Sequence, residues 1–507
     1  MTNSSHSDDF ANTLESQKLN FSTKLAYGAG DMGAAITANI GVFYTAYFLT
    51  DVAGLNAGLA GWVLLIGKFW DAVNDPMVGV MSDKTNSRWG RRLPWMIYGA
   101  IPFGITFFLQ WVVPRFSGNE AVNQLSLFWY YVIISILFNS FYTAVNLPYT
   151  ALTPELTQDY DERTNLNSFR FAFSIGGSIV SVIFVGIIAN LIPNDRIQQY
   201  LVIGAVCAIA SVLPLYWCVW GVRDRVFAVA ARHPETEQPV SIPILQQIKI
   251  ALSNRPFLFV IGIYLCSWLA VQLTAAIIPY FVVSWMRLPD SLIALVILAV
   301  QGTAFVTLFL WSAISERVGK KAVYFMGMSL WIIAQAGLFF LQPSQVPLMF
   351  VLAVMAGFGV STAYLVPWSM LPDVIELDEL KTGQRREGIF YSFVVFLQKV
   401  CLGVAVSFVL QSLNWAGYIN PKTIIQPNLI FECFSFSESC VFNLNNVPPI
   451  QPDAVLLAIR LAIGPLPTLA LICGLILAYF YPITREVHAE ILLKLREKAS
   501  RINQQTD

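Results

Sequence analysis

Long apolar segments separated by polar loops run along almost the whole chain of 507 residues. A helix needs about 20 apolar residues to cross the hydrocarbon core of a bilayer, whereas barrel strands alternate between apolar and polar positions. Twelve segments have the helical length, and none alternates. The predicted helices, numbered 1 to 12 in chain order, cover approximately residues 28–50, 57–81, 93–113, 125–153, 166–191, 198–220, 256–285, 290–314, 321–341, 346–371, 388–412 and 454–481. The pattern therefore predicts an all-α membrane protein.

Lysine and arginine are distributed unevenly among the loops between these helices. The loops after predicted helices 2, 6, 8 and 10 and the C-terminal tail carry three or more each, and the loops on the other side carry at most one. Cytoplasmic loops hold the excess of positive charge in membrane proteins. We therefore expect both termini in the cytoplasm, the loop 413–453 outside it, and the protein in the plasma (inner) membrane.

Two cytoplasmic loops repeat one pattern in the two halves of the chain. The loop after helix 2 reads SDKTNSRWGRR and the loop after helix 8 reads SERVGKK, so both start with serine and an acid and end with glycine and two bases. Any cytoplasmic loop attracts basic residues, but the shared start and end favour a duplicated six-helix unit. The predicted organisation is a tail (1–23), an N-terminal six-helix bundle (24–220), a central cytoplasmic loop (221–255), a C-terminal six-helix bundle (256–482, with the outer loop 413–453) and a tail (483–507).

The composition agrees with this interpretation. Hydrophobic residues make up 56% of the chain and charged residues 12%, against about 25% charged in soluble domains. The first 22 residues are polar and lack the apolar core of a signal peptide, so helix 1 is the expected insertion signal. The formal net charge is zero, which gives no indication of a nucleic-acid partner.

Helix 2 carries charged residues in the middle of an apolar segment, GKFWDAVNDPMVG at 67–79. A charged side chain at the centre of the bilayer costs about 2.5–3.5 kcal/mol, and an apolar neighbour returns only about 0.3–0.6 kcal/mol. Lys68, Asp71 and Asp75 follow one another at spacings of three and four, which places them on one helix face. These side chains must therefore face the protein interior or a watery cavity.

The residue types on this face are suited to a small cation. Asn74 is the direct neighbour of Asp75, so two carboxylates and an amide oxygen lie close together, and such oxygens bind hard cations. The two carboxylates are also suited to a shared proton. The alternative is a simple ion pair between Lys68 and Asp71 that holds helices together. We expect Na⁺ or H⁺ as the coupling ion, with no cofactor and no other metal.

Few other polar residues lie inside the predicted helices. Thr143 and Asn146 of helix 4 are three residues apart and are followed by Tyr149. Helix 5 has Arg170, and helix 11 has Lys399 deep in an apolar run, whereas helices 7 to 10 have no internal charge. Lys399 is interpreted either as a counter-charge or substrate anchor, or as a lone lysine satisfied by a backbone carbonyl.

Seven cysteines divide into two groups. Five lie in apolar segments, where cysteine commonly acts as a small core residue. Cys433 and Cys440 lie in the predicted outer loop, where a disulfide is chemically possible. The alternatives are a bridge between these two and a pair of free thiols.

Several segments together resemble the glycoside–pentoside–hexuronide:cation symporters of the major facilitator superfamily. They are KLAYGAGDMG, YFLTDVAGL, WDAVNDPMVGVMSDKTNSRWGRRLPW, FYTAVNLPYTALTPELTQDYDERTNLNSFRF and PDVIELDELKTGQRREGIFYSF. The similarity runs from end to end and implies twelve helices in two pseudo-symmetric bundles that transport by alternating access.

The resemblance also implies roles for individual residues. The implied cation site comprises Asp71, Asn74, Asp75, Thr143 and Asn146. The implied substrate site comprises Asn146, Tyr149, Arg170, Tyr364 and Lys399. The implied cytoplasmic gate, whose charge pairs break as the halves rock, comprises Asp83, Arg91, Arg92, Glu316, Lys320, Asp373, Glu376 and Arg385. Ala35, Asn146 and Thr150 stand where galactoside-transporting members have two acids and a tryptophan, so the sugar-binding set of those members is not kept.

These observations favour a symporter that couples Na⁺ or H⁺ to uptake of a sugar or glycoside. A carrier of lysophospholipids or similar amphiphiles is the second hypothesis, because some relatives of this family move such lipids. A membrane enzyme is disfavoured, since all three histidines lie in tails or loops and no GxSxG, HExxH or CxxC motif is present. A sensor without transport is the remaining alternative. We expect the protein to act as a monomer in the bilayer on a small-molecule substrate.

Overall fold

The computed structural model describes residues 19–85, 87–156, 160–192, 195–232, 249, 252–382, 387–420 and 450–483, and parts of 486–497. Within these residues the regular structure is entirely helical. The longer helices are α1 (Phe21–Tyr47, extended by a π-helical turn, Phe48–Val52), α2 (Ala57–Asp83), α3 (Leu93–Leu109), α4 (Glu120–Thr150), α5 (Tyr160–Leu191), α6 (Arg196–Arg232), α7 (Arg255–Tyr280, extended by a π-helical turn, Phe281–Trp285), α8 (Ser291–Val318), α9 (Lys320–Phe340), α10 (Val346–Thr382), α11 (Glu387–Trp415), α12 (Asp453–Ile463) and α13 (Pro465–Phe480). A short helix of four residues, Thr153–Leu156, lies between α4 and α5.

The helices confirm the predicted all-α membrane fold. Among the residues that the structure describes, ten helical segments are long and apolar enough to cross a membrane. The shorter apolar helix α3 and the charge-bearing helix α2 occupy the places of predicted helices 3 and 2. The twelfth predicted helix, 454–481, corresponds to one candidate span, Asp453–Phe480, which is interrupted at Gly464 between α12 and α13. Pro465 follows directly, and proline has no backbone N–H to continue the hydrogen-bonding ladder.

The first helix of each half ends in the same irregular way. After the π-helical turn of α1, the N–H of Ala53 donates to the carbonyl of Phe48 at 2.8 Å, and after that of α7 the N–H of Met286 donates to Phe281 at 2.9 Å. The next bond is also matched, from Leu55 in one half and Leu288 in the other. Such wide turns are rare inside helices, so their repetition supports a duplicated unit.

The chain reverses direction after each of these turns through a residue of positive φ. Gly54 has a φ of 73° and Arg287 has a φ of 55°. Glycine adopts this left-handed conformation without steric cost, whereas a residue with a Cβ is strained there. Arg287 is the one non-glycine residue with positive φ among the described residues.

The chain divides into two compact units. The first comprises Met1–Leu55 and Ile66–Gln238, and the second comprises Asn56–Leu65 and Pro239–Asp507. In the first unit α1 packs on α5 and α6, and α3 packs on α4 and α6. In the second unit α10 packs on α8 and α9, and α7 packs on α13 and α11. The residue limits predicted for the bundles, loops and tails stay predictions.

The cysteine prediction is only partly addressed by the structure. Five cysteines are free thiols: Cys207, Cys218, Cys266, Cys401 and Cys473. Cys433 and Cys440 lie outside the described residues, so their pairing stays open.

Candidate functional site

Helices α2 and α4 approach each other closely in the first unit. A Cβ at Gly67 of α2 would overlap the hydroxyl oxygen of Ser135 on α4 and lie 3.1 Å from the Ser135 Cβ, so glycine favours this distance. One turn further on, the indole N–H of Trp70 donates to the Ser140 hydroxyl at 2.8 Å. Both contacts join α2 to α4 beside the charged residues of α2.

The two aspartates of α2 meet a single hydroxyl of α4. The Oγ1 of Thr143 lies 3.3 Å from Oδ1 of Asp71 and 3.0 Å from Oδ1 of Asp75. A hydroxyl has one hydrogen to donate, so it serves one carboxylate at a time while its oxygen stays next to both. Asp71 and Thr143 are almost completely buried. The structure thus brings together three residues of the predicted cation site.

The fourth predicted cation-site residue, Asn74, is an amide on the same helix, one residue before Asp75. Asn74 is buried, and within the described part of the chain its side-chain nitrogen has no hydrogen-bond partner. A buried polar group that lacks a partner costs about 1–3 kcal/mol, which is unusual in a part of a protein that serves packing alone.

A lysine reaches the same cluster from one turn earlier on α2. The Nζ of Lys68 lies 3.3 Å from Oδ2 of Asp71, and it also donates to Oδ1 of Asn139 on α4 at 3.3 Å. The ion pair considered as an alternative in the sequence is therefore present. It is combined with the carboxylate–hydroxyl cluster, since Asp71 uses its other oxygen toward Thr143. Asn139 was missed by sequence reasoning, although it lies one helical turn before Thr143.

The remaining predicted residues of α4 lie elsewhere. Asn146 lines a small cavity of about 10 Å³ with Gly30 and Tyr142, and within the described residues its side-chain oxygen has no hydrogen-bond partner. Tyr149 is fully buried, stacks on Tyr27 of α1 and donates its hydroxyl to the Tyr27 carbonyl at 2.8 Å. Tyr149 therefore contributes to the packing of α1 against α4 in this conformation.

Arg170 also has a partner within the first unit. Its Nε lies 3.5 Å from Oδ2 of Asp31, which joins α5 to α1. Asp31 is buried, so this pair is largely shielded from water. Arg170, predicted to bind substrate, is thus held by an acid of its own unit.

Tyr364 belongs to a larger aromatic group in the second unit. It is 39% exposed and contacts Trp268 of α7 edge to face, with ring centroids 5.6 Å apart. Trp368, one turn further along α10, is 36% exposed and stacks on Tyr391 of α11 at 5.9 Å. Sequence reasoning identified only Tyr364 of this group, although Trp368 is its i+4 neighbour. Lys399 of α11 is half-buried.

Part of the predicted cytoplasmic gate makes close polar contacts. Lys320 at the start of α9 contacts both carboxylate oxygens of Asp373 on α10, at 2.7 and 2.8 Å. Glu376 lies 2.6 Å from the imidazole of His488. Two basic residues directly precede α3: Arg91 and Arg92. Three members lie outside what the structure describes: the side chains of Asp83 and Glu316, and the whole of Arg385.

A bundle of apolar helices with a charged cluster inside it is the arrangement of a membrane transporter. The family model described as "MFS/sugar transport protein" matches residues 26–485. The chain therefore belongs to the MFS/sugar transport protein family. It is a membrane transporter and not an enzyme, as the sequence predicted.

The chain is similar to several symporters over most of its length. An uncharacterized symporter of Synechocystis sp. is 47% identical, covering 96% of this chain and 98% of its own. The sodium-dependent lysophosphatidylcholine symporter 1 of Mus musculus is 27% identical, covering 96% and 90%. The isoprimeverose transporter of Lactiplantibacillus pentosus is 27% identical, covering 81% and 83%. The protein is thus a cation-coupled symporter, and its relatives carry both sugars and lipids.

The fold agrees with this family. The crystal structure of the nucleoside transporter NupG aligns with a TM-score of 0.57, covering 92% of this chain and 100% of that one. The two sequences are 11% identical, so the likeness concerns the fold alone.

Proposed function

We propose that Na⁺ is the coupling ion and that it binds between α2 and α4 at Asp71, Asp75 and Thr143. The observation that supports this is the single Thr143 hydroxyl, which lies 3.3 and 3.0 Å from oxygens of the two carboxylates. Asn74 adds an amide beside them. Hard cations bind carboxylate, hydroxyl and amide oxygens, whereas a proton needs only one carboxylate. The hydroxyl shared by both acids therefore favours Na⁺ over H⁺.

Binding of Na⁺ would partly neutralise the two carboxylates before the protein changes conformation in the transport cycle. Charged groups at membrane depth are costly unless they are compensated, and Na⁺ lowers this cost for the two carboxylates. A substrate that binds better to the ion-loaded protein then shifts it toward the conformation that releases both. Coupling is the differential affinity for substrate in the presence and absence of the ion.

The proposed substrate is a sugar or glycoside. Tyr364 and Trp368 expose ring surface on one face of α10, and an aromatic face packs well against the apolar face of a sugar ring. The family description and the named sugar transporter among the relatives agree with this choice.

A lysophospholipid is the second candidate substrate. The relative in mouse is described as a sodium-dependent lysophosphatidylcholine symporter, and it matches 96% of this chain. The same aromatic surface that suits a sugar ring also suits a quaternary ammonium group.

Uptake into proteoliposomes tests both points. Labelled glycosides, pentosides, hexuronides and lysophosphatidylcholine are offered under an imposed Na⁺ gradient and, separately, under an imposed pH gradient. Sugar uptake driven by Na⁺ supports the first proposal, and lipid uptake driven by Na⁺ supports the second. Uptake driven only by the pH gradient contradicts the choice of ion. No gradient-driven uptake of any compound contradicts both substrate proposals.

A pair of variants tests the site itself. Asp75→Asn removes one carboxylate charge. It should abolish the stimulation of substrate uptake by Na⁺ while the protein still folds. Ser140→Ala is the control, because Ser140 joins the same two helices through Trp70 without contacting the carboxylates. Full Na⁺ stimulation in Asp75→Asn would contradict the proposed site.

A further inference from the structure

We propose that Lys68 is a tethered counter-cation that occupies the cation site of the ion-free protein and that Na⁺ displaces. This inference rests on the proposed function, since it concerns how the same site is regulated. It differs from an ordinary structural ion pair, which would stay closed throughout transport.

The contacts of Lys68 place its ammonium where a metal cation would compete with it. Its Nζ lies 3.3 Å from Asp71, and Asp71 is also one of the two acids that share Thr143. The ammonium and Na⁺ therefore require the same carboxylate. Because Lys68 is three residues before Asp71 on one helix, it is always close at hand, and its effective concentration at the site is high.

Asn139 holds the ammonium in this position. Its side-chain nitrogen donates to the Ser135 carbonyl at 2.7 Å, which turns the amide oxygen toward Lys68. The oxygen then accepts from the Lys68 ammonium at 3.3 Å. Asn139 is buried, so the amide has little freedom to turn away. Asn139 is therefore a positioning residue for Lys68.

The geometry also allows Lys68 to leave. Both of its contacts are 3.3 Å long, at the weak end of the hydrogen-bond range. Its side chain is 32% exposed, whereas that of Asp71 is 2% exposed. A lysine has a flexible four-carbon stem and a compact charge, so the ammonium can swing into water while the carboxylate stays in place. A Na⁺ ion that approaches Asp71 from the exposed side can therefore displace the Lys68 ammonium.

The exchange explains how a symporter avoids an uncompensated site after it releases its ion. A buried carboxylate without a cation is costly at membrane depth, and this cost would hinder the return of the empty protein. With Lys68 back on Asp71, the empty site keeps a positive charge. Na⁺ binding must therefore overcome the ammonium, which weakens the apparent affinity for Na⁺.

Titration of the purified, full-length protein with NaCl by calorimetry tests this exchange without knowledge of the substrate. Lys68→Met removes the competitor and should lower the Kd for Na⁺ by about two- to fivefold. Asn139→Leu keeps every charge and removes only the acceptor that positions the ammonium, so the Kd should fall in the same direction by a smaller factor. Ser140→Ala should leave the Kd unchanged, because it weakens only another contact between α2 and α4.

The outcomes separate this inference from the proposed function. If the wild type binds Na⁺ and both Lys68→Met and Asn139→Leu bind it no more tightly, the inference is wrong and the proposed site stands. If Lys68→Met binds Na⁺ more tightly but Asn139→Leu does not, the tighter binding comes from the removal of a positive charge in general. The position of the ammonium on Asp71 then has no part in it, and the inference is wrong. If no variant and no wild-type protein binds Na⁺, the proposed function fails and this inference fails with it. Should Lys68→Met not fold, Asn139→Leu alone decides, because it keeps the charges of the site.

Discussion

At the residue scale, one hydroxyl connects the two acids of the proposed cation site. Thr143→Val keeps the shape of the side chain and removes its oxygen. We expect the Kd for Na⁺ to rise about ten- to hundredfold, since the bound ion loses one of its oxygen ligands and an interaction with a buried charged group is worth about 1.5–3 kcal/mol. NaCl titration by calorimetry measures this change.

The matched control for Thr143→Val is Thr106→Val on α3. The Thr106 hydroxyl donates to the Pro102 carbonyl of its own helix at 2.8 Å and has no part in the site. Its removal should leave Na⁺ binding as in the wild type. An equal Kd in the wild type and in Thr143→Val would show that the hydroxyl is not a ligand.

The sequence predicted the acids of the site but not their neighbours. Asp71 and Asp75 are identifiable because charge inside an apolar segment is costly, and their spacing assigns them to one helix face. Asn139 contacts Lys68 across 71 positions of the chain, and Asp31 pairs with Arg170 on another helix. Such partners depend on which helices become neighbours, and the apolar pattern does not contain that information.

At the element scale, the close approach of α2 and α4 depends on Gly67. Gly67→Ala places a methyl group against Ser135, whose hydroxyl can rotate away, but the Ser135 Cβ still lies 3.1 Å from the new carbon and crowds the two helices. Overpacking of this kind costs about 1–3 kcal/mol, and the Kd for Na⁺ should rise. Thermal unfolding and NaCl titration measure the two effects.

A second substitution tests whether space is the cause. Ser135→Gly combined with Gly67→Ala restores the room for the methyl group and should recover a large part of the lost Na⁺ affinity. If the double variant stays as weak as Gly67→Ala alone, the crowding explanation is wrong.

The two matched helix ends allow a second prediction at this scale. Arg287 is exposed and has a left-handed backbone, so Arg287→Gly should stabilise the protein by about 1 kcal/mol. Gly54→Ala introduces the same strain at the equivalent place and should destabilise it by a similar amount. Thermal unfolding of the two variants should shift in opposite directions, and a shift in the same direction would contradict the account.

Helix ends were less predictable than helix positions. Predicted helix 6 covers 198–220, whereas α6 runs from Arg196 to Arg232. Apolar composition reports the part of a helix that lies in lipid, but a helix continues into water as long as its hydrogen bonds and contacts favour it. The break between α12 and α13 lies at Gly464 and Pro465, inside an apolar run that predicts one helix.

At the scale of the whole molecule, the ion pair of Lys320 and Asp373 is a test of the predicted gate. Asp373 is buried, while Lys320 is partly exposed, and His488 lies 3.5 Å from the same acid. Lys320→Gln removes the main positive partner of a buried carboxylate and should lower the free energy of unfolding by about 1–3 kcal/mol. Thermal unfolding in detergent measures this loss.

Asp373→Asn in the Lys320→Gln background supplies the control for this prediction. It removes the buried charge, so the double variant should be more stable than Lys320→Gln alone. Transport by the two variants then separates stability from gating. If the double variant regains the stability of the wild type but transports at an altered rate, the pair has a role in the gate. If it regains both the stability and the transport rate of the wild type, the pair has a structural role only.

The two-part organisation of the molecule was visible in the sequence only in its loops. The two loops that are predicted to be cytoplasmic share serine, an acid, glycine and bases, and such positive charges set the orientation of a membrane protein. The sequences of the helices did not indicate the repeat, since many different apolar residues are equally suited to face lipid. The repeated hydrogen bonds after α1 and α7 became visible only in the structure.

Those two helix ends also record an order of events in the history of the chain. The segments FLTDVAGL and FVVSWMRL share only their first and last residues, yet they carry the same widened turn. A widened turn accommodates an extra residue in a helix, and independent origins would require the same insertion twice at the same place. A duplicated six-helix unit would carry the same turn in both of its copies. The backbone hydrogen bonds have thus outlasted the side chains around them.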